Sequence, residues 1–175
     1  VPRLTEGTVA HLALGSNIGD KIGHLRRAVD AISTLPRTRL VAQSSIYRTP
    51  PWGKTDQDWF ANAAVTVETG LSPQDLLVAV LDIEKQLGRV RRERWGPRVI
   101  DIDVLMHGET VLKTETLTLP HPAMTARAFV LVPLNEIAPD AMIRGKSVTA
   151  WLAGLDAKGV DPIAPPVRRD EEEPR

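Results

Sequence analysis

Asp101 and Asp103 stand two residues apart in a segment, Arg98 to Met106, whose polar and apolar residues alternate as they do in a β-strand. Side chains two apart on a strand share a face, so both carboxylates point the same way. Such a pair suits a hard cation. Magnesium prefers oxygen ligands, keeps several waters, and is commonly held by one or two carboxylates together with substrate phosphates. Two ions could be bridged in the same way. A solvated strand face can carry the same tripeptide, so the neighbourhood has to decide. Just upstream lie Gly88-Arg89 and Trp95-Gly96-Pro97-Arg98, with Arg91, Arg92 and Arg94 between them. Arginine suits phosphate because its planar fork donates two parallel hydrogen bonds. The other reading of this cluster is a solvated charged loop. The chain has no Gly-x-x-x-x-Gly-Lys element, and Gly15 to Gly19 lacks the dinucleotide-fold spacing, which excludes a P-loop and a Rossmann site.

These groups need strands, helices and loops to hold them. Thr8 to Leu14 is a short apolar segment that runs into Gly15-Ser16-Asn17-Ile18-Gly19-Asp20, which predicts a strand and then a loop. Ile22, Leu25, Val29 and Ile32 recur at helical spacing, Asp20 can cap the first turn, and Pro36 ends the pattern. Leu40 to Arg48 reads as a second strand, which Pro50 and Pro51 stop because they lack amide donors. Phe60 to Thr69 reads as the third. Ser72-Pro73-Gln74-Asp75 supplies a cap, a proline at the first helical position and an acid in the first turn of a helix that ends near Gly88. Arg89 to Pro97 is too polar to pack and reads as an exposed basic loop. Arg98 to Met106 is the fourth strand. Ala126 to Ile137 has helical character despite Pro133, and Ser147 can cap a last short helix to Leu155.

The order strand-helix-strand-strand-helix-strand is that of a ferredoxin-like unit. The expectation is an α+β fold: a βαββαβ antiparallel sheet with helices on one face and C-terminal additions. Residues 1–160 form a single domain, and 161–175, rich in Pro, Arg and Glu, form a tail outside the core.

Lys plus Arg and Asp plus Glu number 22 each, so no global field draws nucleic acid or an anionic membrane. Aromatic residues make up only 4%, which fits poorly with a sheet that stacks RNA bases. There is no cysteine, which removes disulfides, thiol catalysis and cysteine-bound zinc. With no secretory pattern at Val1 to Gly7 and no apolar run of membrane-spanning length, a cytoplasmic protein is expected. A monomer working on small molecules is the accompanying expectation.

Six motifs occur in order: Leu14-Gly15-Ser16-Asn17-Ile18-Gly19-Asp20; Ser45-Ile46-Tyr47-Arg48-Thr49-Pro50-Pro51; Phe60-Ala61-Asn62; Glu84 followed by Gly88-Arg89; Trp95-Gly96-Pro97-Arg98 through Asp101-Ile102-Asp103; and Leu119-Pro120-His121-Pro122 through Arg127-Ala128-Phe129. In this order and spacing, from about Val9 to Asp140, the chain resembles the 6-hydroxymethyl-7,8-dihydropterin pyrophosphokinase family. The resemblance implies transfer of pyrophosphate from ATP to 6-hydroxymethyl-7,8-dihydropterin, with AMP as the other product, in tetrahydrofolate synthesis. It implies that Asp101 and Asp103 hold two magnesium ions. Arg89 and Arg98 would be catalytic, and Glu84, Arg91, Val104, Thr118, His121 and Arg127 would bind ATP. Gly15, Thr49, Pro50, Pro51, Trp52, Phe60, Asn62, Trp95 and Phe129 would bind pterin.

That assignment makes physical sense. Pterin is flat, so two aromatic faces can sandwich it, and an amide offers both donor and acceptor to its polar edge. A Phe pair is otherwise read as core, Glu84 as a helix-surface acid and His121 as a satisfied loop residue. Leu81, Thr116 and Pro122 depart from the polar, basic or aromatic side chains of some members, which leaves adenine contacts to the backbone. Two other readings are a ferredoxin-like nucleic-acid module and a metal-dependent nucleotide hydrolase. Formation of AMP that depends on added pterin separates both from the transferase.

Overall fold

The computed structural model describes residues 7–51, 58–88 and 99–166. Its core element is an antiparallel sheet. The strands β1 (Thr8–Ser16), β2 (Thr38–Gln43), β3 (Ile46–Thr49), β4 (Phe60–Thr69) and β5 (Asp101–His107) alternate with the helices α1 (Lys21–Ser33) and α2 (Pro73–Gln86). β4 lies at the centre: β1 pairs along one edge of it, while β2 and β3 pair with successive parts of the other. β5 flanks β1. This is the expected α+β, ferredoxin-like arrangement of the two βαβ halves.

Local chemistry sets the helix ends. The Asp20 side chain accepts from the Gly23 N–H at 3.0 Å, and the Ser72 hydroxyl accepts from Asp75 N–H at 3.1 Å with Pro73 in the first turn. Each cap satisfies a donor that the helix itself cannot, which contributes on the order of 1 kcal/mol. Gly88 follows α2 at φ +97°, a backbone conformation that L side chains rarely adopt.

One sheet face is mainly apolar. Leu12 and Leu14 of β1, Ala61, Ala63, Val65 and Val67 of β4, and Ile102 and Val104 of β5 pack with Leu25, Val29 and Ile32 of α1 and Leu76, Val80 and Ile83 of α2. Burying each large aliphatic side chain is worth roughly 1.5 to 3 kcal/mol. The opposite face carries a second cluster, in which Ala64 and Leu105 meet Val130, Leu131 and Leu134 of α3 (Ala128–Ile137) and Val148 of α4 (Val148–Ala153). A 3-10 turn, Met124–Ala126, leads into α3. The C-terminal additions therefore roof the second face.

Three details depart from the sequence reading. The expected strand Leu40 to Arg48 is two strands, because the ladder is broken on one side at Ser44: its N–H still donates to the Ala64 carbonyl at 2.9 Å, but its hydroxyl, not its carbonyl, accepts the Ala64 N–H at 2.9 Å. The fourth strand starts at Asp101. Asp161–Ala164, assigned to the tail, forms an edge strand that pairs with β3, with Ala164 packed on the core. Two short pairs, β6 (Leu112–Lys113) with β7 (Thr118–Leu119) and β8 (Met142–Ile143) with β9 (Lys146–Ser147), had no sequence signal, being two residues long; the edge strand is β10. Among the described residues, no helix is long and apolar enough to cross a membrane.

Candidate active site

Sheet register assembles the site. Tyr47 of β3 faces Asn62 of β4, Asn62 faces Gly15 of β1, and Gly15 faces Asp101 of β5. One row across four strands thus joins segments far apart in sequence. By strand alternation, Gly15, Phe60, Asn62, Asp101 and Asp103 lie on the α3 side of the sheet, opposite the apolar face.

Asn62 is held from both sides. Thr49 donates its hydroxyl to Asn62 Oδ1 at 2.6 Å, and Asn62 Nδ2 donates to the Leu14 carbonyl at 3.4 Å. An amide has two acceptor lone pairs and two N–H donors, so these bonds fix its plane and use only half of its capacity. Gly15 makes room for it: a Cβ there would stand 2.9 Å from Asn62 Nδ2, closer than real Cβ atoms come. Phe60 is half-buried beside this pair. Thr49 is buried and spends its hydroxyl on Asn62, so its link to any ligand runs through that amide. Pro50 is exposed and Pro51 half-buried at the end of β3.

Asp101 and Asp103 are both half-buried, on one face as their spacing requires. They open into a cleft of about 360 Å³ that runs along the outer edge of β5. Leu77, Leu81 and Glu84 of α2 form one wall, and Thr114, Thr116, Thr118, His121 and Pro122 form another. Glu84 is not a surface acid. It is 3% exposed, and its Oε2 accepts the Ile102 N–H at 2.6 Å, so a buried carboxylate grips the backbone between the two aspartates. Val104 also lines the cleft, although its side chain belongs to the apolar core. Leu81, 46% exposed, presents an apolar surface.

His121 sits where the chain returns from β7. Its N–H donates to the Leu105 carbonyl at 2.9 Å, and its Nδ1 accepts the Ala123 N–H at 3.1 Å. That second bond puts the ring proton of the neutral imidazole on Nε2. Burial, then the positive charge of Arg127, lowers the His121 pKa, with Asp101 acting the other way. The neutral ring is thereby favoured. Arg127 precedes α3, with its guanidinium 5.7 Å from the Phe129 ring, which is half-buried against the second core cluster.

The residues expected from sequence thus fall into groups. Gly15, Thr49, Phe60 and Asn62 come together at one end of the sheet, and Glu84, Asp101, Asp103, Val104, Thr118 and His121 line one cleft. Trp52, Arg89, Arg91, Trp95 and Arg98 lie outside the described residues. Sequence reasoning missed Leu77 and Thr114 as cleft residues and Glu136 as an anchor of α3. Leu77 reads as one of a helical run of core leucines, and no local pattern marks the contacts of Glu136.

The donor set fits magnesium. Among the described residues, no three histidine, cysteine or carboxylate side chains gather as a closed metal site would require. Two carboxylates at the mouth of a cleft, with room for phosphates and waters, match the way magnesium is held with a nucleotide.

Comparison with known proteins gives the family. Residues 11–139 match the family model described as 7,8-dihydro-6-hydroxymethylpterin-pyrophosphokinase (HPPK). The chain is 56% identical over 156 residues to the 2-amino-4-hydroxy-6-hydroxymethyldihydropteridine pyrophosphokinase of Methylorubrum extorquens, covering 89% of this chain and 99% of the relative. It is 43% identical over 152 residues to the protein of the same name from Pseudomonas aeruginosa, covering 86% and 94%. The Plasmodium falciparum HPPK-DHPS structure with pterin and p-hydroxybenzoate shares the fold at a TM-score of 0.66 and 16% identity. That match covers 84% of this chain and 43% of the longer Plasmodium chain.

Proposed function

We propose, for a chain that belongs to the 7,8-dihydro-6-hydroxymethylpterin-pyrophosphokinase family, that its reaction takes place where the Gly15-Asn62-Asp101 row meets the cleft beside β5. The reaction itself is pyrophosphoryl transfer from ATP to hydroxymethyldihydropterin in folate biosynthesis. The hydroxymethyl oxygen attacks the β-phosphorus of ATP, the bond from that phosphorus to the α-phosphate bridge oxygen breaks, and AMP departs. The hydroxyl proton is lost to solvent.

The observation that carries this reading is the register: it sets an amide suited to a pterin edge and a carboxylate suited to a metal–phosphate complex in one row, with only a glycine between them. Asn62 reads the polar edge of the pterin, pre-oriented by Thr49 and Leu14, while Phe60 and Phe129 cover its faces. Asp101 and Asp103 hold two magnesium ions. When bound there, magnesium would neutralise phosphate charge. His121 donates from Nε2 and Arg127 from its guanidinium to the polyphosphate. Glu84 acts on the backbone, fixing β5 so that both aspartates keep their aim. Leu77 and Leu81 offer the nucleobase an apolar wall, and Thr118 and the β5 backbone read its edge. Arg89 and Arg98 act on the transferring group. Little covalent chemistry is asked of the protein, so positioning and charge stabilisation dominate. The protein acts as a cytoplasmic monomer.

A coupled assay tests the assignment. AMP should form only when ATP, magnesium and hydroxymethyldihydropterin are all present, and Asp101→Ala and Asp103→Ala should each remove most of it. AMP without pterin would indicate a nucleotide hydrolase. Near-normal rates in either variant at saturating magnesium would remove the metal assignment.

A further inference from the structure

α3 carries Phe129 near its start and Glu136 near its end, about two turns later at 3.6 residues per turn. Two turns return almost to the same side of a helix, so both side chains leave α3 toward the sheet. Between them stands Pro133, inside the helix. Proline has no N–H with which to close the turn back to residue 129, so one rung of the ladder is missing, although the helix runs on from Ala128 to Ile137.

Glu136 restores the constraint from outside the helix. Its carboxylate takes three hydrogen bonds from the β2–β3 junction: Ser45 N–H to Oε1 at 2.9 Å, Ser45 hydroxyl to Oε2 at 2.9 Å, and Tyr47 hydroxyl to Oε1 at 2.7 Å. Bonds to an ionised acceptor are about twice as strong as neutral ones. Burial, then the bond to Glu136, keeps Tyr47 a neutral phenol and therefore a donor. Tyr47 stands directly opposite Asn62 in the register, and the next residue but one along β3, Thr49, orients the Asn62 amide. One carboxylate thus ties the helix that bears Phe129 to the strand that aims Asn62.

We propose that Glu136, acting through Tyr47 and Ser45, is a positioning residue for the pterin pocket: it fixes the height and angle of Phe129 above Asn62. This rests on the reading of Phe129 and Asn62 as pterin contacts. Glu136 touches no substrate; it sets the gap into which a flat ring enters. Loosening the clamp lets α3 shift as one piece against β3 and widens that gap, while the cleft beside β5, built from α2 and β7, keeps its shape.

The test measures the affinity of hydroxymethylpterin and of a non-hydrolysable MgATP analogue separately, by calorimetry, in the full chain. Tyr47→Phe keeps the ring and removes one bond, and should weaken pterin roughly three- to tenfold. Glu136→Ala should weaken it by roughly tenfold or more, Glu136→Gln less, and none should change nucleotide affinity by more than about twofold. In a Phe129→Ala background, Glu136→Ala should cost almost nothing further, since the residue it positions is gone. A simple structural brace would lower the melting temperature and leave the ratio of the two affinities unmoved, which would overturn the proposal. Full additivity of Glu136→Ala with Phe129→Ala would overturn it as well. If Glu136→Ala does not fold, Tyr47→Phe decides alone. Phe129→Ala and Asn62→Ala serve as the control on the pocket: if neither weakens pterin, the pocket reading fails and takes the clamp with it. If both weaken it while Tyr47→Phe does not, the clamp alone fails.

Discussion

The two faces of the sheet divide the work of the molecule. On the α1 and α2 face, β1, β4 and β5 contribute leucine, isoleucine, valine and alanine, all nearly or fully buried. On the α3 face the same strands contribute His11, Gly15, Phe60, Asn62, Thr66, Asp101 and Asp103. A strand can serve both because its side chains alternate. The apolar face supplies stability, which leaves the other free to hold polar groups.

That division makes a sharp contrast between variants. Asp101→Ala should lower turnover by roughly 10²–10³-fold or more with an unchanged melting temperature, because a half-buried carboxylate leaves no core cavity. Leu12→Ala, on the other face of the neighbouring strand, should do the reverse: about 2–5 kcal/mol of stability lost, with turnover per folded molecule retained. Denaturant melts and single-turnover assays on both proteins measure the separation. Activity lost in proportion to stability in both would break it.

The far end of the polar face makes a second test. His11 is 7% exposed, its Nδ1 lies 2.9 Å from Thr66 Oγ1, and burial lowers its pKa to about 4. The folded state therefore favours the neutral ring. Its contribution is complete above pH 6.5, where the unfolded chain is also neutral. It is lost as the pH falls toward 4, because the unfolded chain then takes up a proton that the folded one refuses. The loss should reach about 3 kcal/mol, from 1.36 kcal/mol per pKa unit. Urea midpoints from pH 7 to pH 4 should fall more steeply for the wild type than for His11→Gln. Parallel slopes would show that the ring does not titrate differently on folding.

Gly15→Ala tests how tightly the polar face is built. Its Cβ would displace Asn62 Nδ2, and pterin affinity should fall by about 1–3 kcal/mol, with nucleotide affinity much less affected. The smallest effect belongs to the apolar face. Ser16 follows Leu12 and Leu14 there, opposite Ala61, and its fully buried hydroxyl has no hydrogen-bond partner among the described residues. Ser16→Ala should stabilise the protein by about 1 kcal/mol, read as a raised melting temperature. Destabilisation would mean that the hydroxyl finds a partner in solution.

Most of this plan was legible in the sequence, for physical reasons. Caps and turns are local chemistry, so Asp20, Ser72, Pro73 and Ser147 gave the helix starts. Phe60–Thr69 was legible to both ends because it is long and rich in β-branched and small apolar residues. The split at Ser44 was not, since a serine hydroxyl standing in for a backbone acceptor depends on the strand beside it. Nor was β10, whose composition reads as a polar tail until β3 offers it a ladder. In the site, the shared face of Asp101 and Asp103 follows from spacing alone. The buried grip of Glu84 on Ile102 and the clamp of Glu136 do not, because each is a contact between elements far apart in the chain.

The row Tyr47-Asn62-Gly15-Asp101 also sets an order in time. β1, β2, β3 and β4 can pair as soon as residue 69 has left the ribosome, but β5 must wait for residues 70–100, α2 among them. Until then, β1 has an open edge along its whole length. Non-local pairings of this kind are slow, and exposed edges are where newly made chains associate wrongly. The strand that carries Asp101 and Asp103 is therefore also the one that closes that edge of the main sheet. A nascent chain halted before Asp101 would lack both carboxylates and keep a sticky flank. The Asp101–Asp103 pair and resistance to misassembly arrive with the same seven residues.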